Sequence, residues 1–249
     1  MKPPKATEQQ RFVSITFDDG LLTGTRIAVE LLAKHGGKAS FYIVTGWVKP
    51  ERVRIRDAYN VGRDHGTWAD WQHFDALGHE IGSHTASHLR ADGIMARLRP
   101  SLLLRELSGS FDDLQRNLRK PPISIAMPYD AVTGAFTRIA SQYYQAARMG
   151  CRAIVHIDPE EADWYRLPSW APRPGTPIEE ICRGITDIPT SHWLILQFHS
   201  LGNEGWNPVS PEAFERLLRA ISESDNLRLV TIREMVNLYK ASHSSVANV

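Results

Sequence analysis

The chain has 249 residues, 42% of them hydrophobic and 23% charged, the proportions of an ordinary soluble globular protein. Its 29 basic and 28 acidic residues leave a formal charge of +1, which gives no basis for attraction to nucleic acid or anionic membranes. No run reaches the apolar length of a membrane span, and the only two cysteines, Cys151 and Cys182, lie in apolar runs and are expected to be buried free thiols.

In chain order, residues 1–11 read as a flexible arm that lacks the apolar core of an export signal, so a cytoplasmic location is expected unless such a signal has been removed. "FVSITF" (12–17) reads as a strand and residues 24–37 as an amphipathic helix ending on glycine. Strand "KASFYIV" (38–44) leads into a long connection, 45–76, whose end is helical in pattern. "HEIGSH" (79–84) is a third strand and residues 101–118 a long helix. "ISIAM" (123–127) is the fourth strand, followed by a helix over 135–150 and a fifth strand, "CRAIVHI" (151–157). A short sixth strand, 165–171, and a helix over 177–186 precede "HWLILQFH" (192–199), the most apolar strand. A helix over 210–224, capped by serine and proline, a strand at 227–232 and a helix at 233–239 close the pattern, with a disordered tail over 241–249. Near-continuous apolar strands alternating with helices imply a parallel sheet covered on both faces. The expected fold is α/β: a single irregular (β/α) barrel of seven or eight strands spanning 12–240, with no linker or repeat to divide it.

Chemistry gathers at the C-terminal ends of these strands, where β/α barrels keep their sites. Asp18 and Asp19 end the first strand, His84 the third and His199 the seventh, while Pro128 and Tyr129 follow the fourth. Two adjacent carboxylates at the end of a buried strand repel each other and need a partner. In "HTASH", one helical turn would set the His84 and His88 imidazoles on one side, about 5–6 Å apart at Cβ. Two imidazoles and a carboxylate form the open ligand set of a catalytic zinc or other divalent metal. Such an ion would neutralise one aspartate and leave its neighbour free as a base.

"TFDDG" (16–20), "HTASH" (84–88), "MPYD" (127–130) and "FHS" (198–200), in this order, resemble the motifs of the polysaccharide deacetylases, carbohydrate esterase family 4. The resemblance runs from about Phe12 to Ile232. It implies Asp18 as general base, Asp19, His84 and His88 as ligands of one divalent metal (zinc first, with Co2+, Ni2+ or Mn2+ as alternatives), and His199 as general acid. It also implies that the Tyr129 N–H supports the oxyanion. The reaction implied is removal of acetyl groups from an N-acetylated sugar or polysaccharide. Alternatives on the same fold are a cyclic imide or ureide hydrolase, an O-acetyl xylan esterase and a non-catalytic carbohydrate-binding barrel.

The sequence departs from the family pattern in two places. Ala126 stands where the family has an arginine that pairs with the base, and Asp130 where it has glycine. Arg166 is the first candidate to replace that arginine, ahead of Arg148, Arg152 and Arg173, and Asp163, in an Asp-Trp pair, is a candidate to orient His199. Among the aromatic residues, Trp206 is the one expected to meet a sugar ring, beside Pro128. Trp68 and Trp71 are expected to hold loops, His79 to be structural, and His156 to end the fifth strand on the site face without being a ligand.

Overall fold

A computed structural model describes residues 10–48, 55 and 57–244. Eight strands form one parallel sheet: β1 (Arg11–Phe17), β2 (Ser40–Ile43), β3 (Glu80–Ser83), β4 (Ser124–Ala126), β5 (Ala146–Cys151), β6 (Leu167–Trp170), β7 (Trp193–Phe198) and β8 (Leu227–Leu229). The order β2-β3-β4-β5-β6-β7-β1-β8, with β2 returning to β1, closes seven strands into a barrel and leaves β8 outside the ring. One edge of β1 pairs with β7 over its whole described pairing, Phe12–Phe17. The other edge is divided: Arg11–Val13 take β8, and Thr16–Phe17 take β2. Closure therefore happens at the upper end of β1, directly beneath Asp18.

Period-two alternation assigns the two faces of the wall. Phe12, Tyr42, Ala126, Ala146, Leu167, Trp193 and Ile195 form one buried cluster, the barrel interior. Val13, Ile15, Phe17, Leu194, Leu196 and Phe198, one position out of phase, join helix α1 (Leu22–Lys34), α6 (Ile178–Thr186) and α7 (Pro211–Ser222) in a second cluster. Ile125, Met127 and Ala147 pack under α4 (Pro100–Asn117) and α5 (Gly134–Tyr143) in a third. The inward polar residues of β1 are satisfied within the wall: Ser14 Oγ donates to Val230 O at 2.6 Å and Thr16 Oγ1 to Leu196 O at 2.9 Å.

The expected helix over 135–150 is a correction. Helix α5 stops at Tyr143, Tyr144 is extended (φ −111°, ψ 160°), and β5 starts at Ala146. Tyr144 gains a buried place from this break, its hydroxyl bonding Leu107 O at 2.9 Å and Ser110 Oγ at 2.9 Å. Consequently Arg148 lies on a barrel strand, and residues 151–157 are not a strand beyond Cys151. Ile157 forms one antiparallel bridge to Trp193, the first residue of β7. His156 thus sits at the end of the barrel opposite the site, near Gly184 O at 3.3 Å. Helix α2 (Trp68–Ala76) ends the long connection, and α3 (Ile94–Leu98) was not anticipated.

The terminal segments also differ from expectation. Arg11 belongs to β1 and donates to Thr186 O at 2.7 Å, while residues 1–9 of the expected arm lie outside the described residues. Helix α8 (Ile232–Ser244) runs past residue 240, so the first part of the expected tail is helical, and 245–249 lie outside the description. Both cysteines are free and half-buried rather than buried. Among the described residues, no helix is long and apolar enough to cross a membrane.

The interior is tight where β3 faces β2. A Cβ built on Gly82 would stand 2.5 Å from the Tyr42 ring and 3.1 Å from Ser124 Oγ. Overpacking of this kind costs about 1–3 kcal/mol. Gly82→Ala is therefore expected to lower the thermal midpoint by about 2–4 °C for each kcal/mol lost, as followed by circular dichroism. An unchanged midpoint would mean that the interior has slack which this packing denies.

Candidate active site

The pleat of β1 separates its two terminal carboxylates. Asp18 continues the inward series Ser14, Thr16 and is buried in the barrel mouth. Asp19 has φ +68°, which breaks the strand and turns its side chain towards the loops, and Gly20 (φ +70°) completes the bend. Backbone geometry gives the two adjacent acids different surroundings.

Asp18 meets its cation inside the barrel. Arg148, fully buried on β5, forms a salt bridge with Asp18 Oδ1 through Nη2. Gln197 Nε2 on β7 donates to Asp18 Oδ2 at 3.1 Å. Ser169 on β6 joins both partners: it accepts from Arg148 Nη1 at 2.9 Å and donates to Gln197 Oε1 at 2.8 Å. The guanidinium also lies over the Tyr42 ring, 4.9 Å from its centroid. Ala126 and Arg148 are register partners in the β4–β5 ladder. The guanidinium missing at 126 is supplied from the neighbouring strand at the same level, and the small alanine is its inward neighbour.

Arg166 does not take this place. It is exposed, and its N–H donates to Asp163 O at 2.9 Å in the turn that enters β6. Asp163 is exposed as well and accepts from Tyr165 N at 3.0 Å, so it is not the orienting partner of His199. The neighbouring Trp164 packs on Trp193, at the floor of the barrel. Arg152 and Arg173 are exposed.

Asp19 faces the two histidines. Its Oδ1 lies 3.4 Å from Nε2 of His84 and 3.4 Å from Nε2 of His88. Ligand atoms of the three residues fall within 4.8 Å of one another. The "HTASH" segment is not a helical turn: Thr85 (φ +66°) and His88 (φ +64°) are both left-handed. Ser83 Oγ accepts from Thr85 N and Thr85 Oγ1 from His88 N, each at 3.1 Å. The loop after β2 clamps it from outside, with Thr45 N donating to Thr85 O and Gly46 N to Ala86 O. Gly46 is required there, because a Cβ would stand 2.3 Å from Ala86 O.

Polar bookkeeping at this cluster fits a divalent cation. His84 Nδ1 is 3.0 Å from Ala126 O, and since a carbonyl only accepts, Nδ1 carries the proton there and Nε2 faces Asp19. Asp19 Oδ2 accepts from Asn60 Nδ2 at 3.1 Å, whereas the buried Oδ1 has no hydrogen-bond partner. Burial opposes the Asp19 charge, but the close approach of the His84 ring and the fields of His199, His84 and His88 outweigh it, holding the carboxyl well below the usual range. Burial, with the neighbouring His84, pushes His88 down to about 4. Burial also opposes a charge on His84, yet the Asp18 and Asp19 carboxylates raise its pKa. An ionised carboxylate oxygen without a partner, facing two ring nitrogens, offers three donors to one point.

The remaining candidates surround a cleft of about 310 Å³ lined by Asp18, Asp19, His84, His88, Tyr129, Gln197, His199 and Trp206. His199 follows β7, half-buried, with the Trp206 ring edge-on at 4.9 Å. Pro128 is buried, and Tyr129 (φ +58°) turns its ring onto His88 at 4.6 Å. Asp130 bends back so that Oδ1 accepts from Gly150 N at 2.7 Å. Trp71 is fully buried with Nε1 on His65 O, Trp68 packs on the outer core, and His79 accepts from Ala39 N at 3.2 Å away from the cleft. Missed by the sequence reading were Gln197, Ser169, Asn60, Asp57 and the support given by His65, whose Nδ1 donates to Asp19 O at 3.0 Å. The one available signal was Gln197, a polar residue at an inward position of the most apolar strand.

Removing one partner of a buried ion pair costs about 3–5 kcal/mol, since it strands the other charge. Arg148→Leu is expected to lose stability on that scale in urea denaturation, and the double variant Asp18→Leu/Arg148→Leu to lose much less. Arg166→Ala is expected to stay within about 0.5 kcal/mol of the parent, as surface changes do. Equal stability of Arg148→Leu and the parent would overturn the assigned pairing.

A sequence profile described as polysaccharide deacetylase matches residues 5–147, more than half of the chain, and ends just before Arg148. No curated protein matches it in sequence. The fold is shared with a family 4 acetyl xylan esterase from Clostridium thermocellum in complex with cobalt (20% identity, 91% of each chain covered, TM-score 0.60). It is shared too with a mutant of the peptidoglycan deacetylase PdaC from Bacillus subtilis (17% identity, 97% of each chain, TM-score 0.59). A third similar structure is a CE4 family pseudoenzyme from Bacillus anthracis (15% identity, 93% of this chain and 67% of that one, TM-score 0.61). The barrel, the motifs it gathers and the profile match agree, and the chain belongs to the polysaccharide deacetylase family.

Proposed function

We propose that this protein is a metal-dependent hydrolase that removes the acetyl group from an N-acetylated saccharide. The observation that carries the reading is the contrast between the neighbouring acids. Asp18 is fixed by Arg148 and Gln197, while Asp19 presents a bare, buried oxygen to His84 and His88. A divalent ion held by Asp19, His84 and His88, zinc by preference, would polarise the acetyl carbonyl and make a bound water more acidic.

The chain's own groups do the rest. Asp18 takes the proton of the attacking water, with Arg148 and Gln197 holding its carboxylate in one orientation. The Tyr129 N–H, at a left-handed turn on the cleft wall, donates to the oxyanion. His199 gives a proton to the departing amine, its ring set against the Trp206 edge. Trp206 and Tyr129 offer apolar faces to a sugar ring in the cleft.

Asp18 favours this reading over cyclic imide hydrolysis, whose enzymes on this fold tend to lack the free base. An alanine at 126 is the feature that would favour a non-catalytic barrel, and Arg148 removes its force. Acetate release from N-acetylated oligosaccharides, nucleotide sugars and acetylxylan tests the reading and separates amide from ester substrates. A chelator should abolish release, and zinc or cobalt should restore it. Asp18→Asn should keep the metal while kcat falls about 10²–10⁴-fold, the worth of a general base. His84→Ala should lose the metal itself. Full metal content in His84→Ala, or undiminished turnover in Asp18→Asn, would sink the assignment.

A further inference from the structure

We propose that Asp57 is a positioning residue for His88, completing a carboxylate–imidazole–metal relay that the family motifs leave unassigned. The proposal rests on the metal reading above. His88 points Nε2 at Asp19 Oδ1, 3.4 Å away, and so faces the ligand cluster with that nitrogen. Its other nitrogen, Nδ1, is buried and has no hydrogen-bond partner. An imidazole that gives its Nε2 lone pair to a cation carries its proton on Nδ1, and a buried N–H needs an acceptor. Asp57 Oδ2 faces Nδ1 at 3.9 Å, about 1 Å beyond a hydrogen bond.

The surroundings of Asp57 suit that role. Its Oδ1 is already fixed, accepting from Tyr59 N at 2.9 Å and from Asn60 Nδ2 at 3.0 Å. Its Oδ2 takes only a long bond from the Tyr129 hydroxyl, 3.3 Å, which leaves acceptor capacity on the side of His88. The same Asn60 amide donates to Asp19 Oδ2, so one side chain spaces the ligand carboxylate from the positioning one. The two imidazoles thus differ in kind: His84 has a neutral carbonyl behind it, Ala126 O, and His88 a carboxylate. A carboxylate behind a ligating imidazole fixes tautomer and ring angle and makes the ligand nitrogen more basic.

Asp57→Asn keeps the size of the side chain and an oxygen for the turn, but removes the charge. Zinc affinity measured by competition with a chromophoric chelator is expected to fall about 10–100-fold in Asp57→Asn, the usual loss of such a partner. The melting midpoint of the metal-free variant should equal that of the metal-free parent. In zinc-loaded protein labelled at histidine nitrogen, the His88 Nδ1–H proton should resonate downfield in the parent and move upfield in Asp57→Asn, with the His84 Nδ1–H signal in place. Equal zinc affinity in parent and variant would overturn the role of Asp57 alone. So would a weakened variant whose His88 signal is unmoved and whose metal-free midpoint has dropped, because Asp57 would then be holding only its turn. A parent that takes up no zinc would instead remove the metal reading, and this inference with it.

Discussion

The salt bridge between Arg148 and Asp18, closed inside the barrel, is the interaction on which the rest of the site depends. A buried ion pair of this kind is close to break-even for stability, because desolvating two charges offsets their attraction. Its presence is better explained by what it fixes. Four strands contribute to it: β1 the carboxylate, β5 the guanidinium, β6 the serine and β7 the glutamine. With Asp18 matched by Arg148, the negative charge of Asp19 is the one left over at the mouth of the barrel. Asp19 Oδ1 has no hydrogen-bond partner, and the Nε2 atoms of His84 and His88 converge on it. The three ligand atoms gather within 4.8 Å of one another, which gives a cation a place by geometry.

Backbone strain is concentrated at the same mouth. Four of the seven non-glycine residues with positive φ among the described residues, Asp19, His88, Tyr129 and Asp130, line the cleft, and a fifth, Thr85, lies in the histidine loop beside it. Left-handed conformations of such residues persist where the surroundings over-determine them. Here the surroundings are concrete. Hydrogen bonds from Thr45 and Gly46 hold the histidine loop, and the Asp130–Gly150 bond holds the turn after β4. Strain and rigid neighbours together aim side chains that regular strand or helix geometry would point elsewhere.

Much of this was legible in the sequence. The strand–helix alternation gave the barrel, because each buried strand had to be apolar on both faces of the wall. The Asp-Asp and His-x-x-x-His spacings pointed to the residues that cluster as Asp19, His84 and His88, although the spacing works through two left-handed kinks and not through a helical turn. The illegible parts have physical causes. "ASQYYQAARMG" contains no helix breaker before Gly150, and the helix ends early where Tyr144 is buried against α4 and the next residues pair with the β4 strand. That misplaced boundary made Arg148 look like the end of a helix and left the exposed Arg166 as the favoured arginine. Asn60 and Asp57 act from a connection without periodicity, where only the folded chain shows which polar side chains reach inwards.

The rung that pairs Ala126 with Arg148 carries a wider consequence. Adjacent parallel strands present register partners to the same side, so a long inward side chain can be moved one strand around the ring and still reach the same point. A comparison by aligned columns counts this as the loss of a catalytic arginine, and the matched segment ends one residue before its replacement. Motif letters alone would record Ala126 and pass over Arg148, which meets Asp18 from the adjacent strand. In this chain the charge reaches Asp18 from β5, and a barrel of parallel strands has more than one address from which to deliver it.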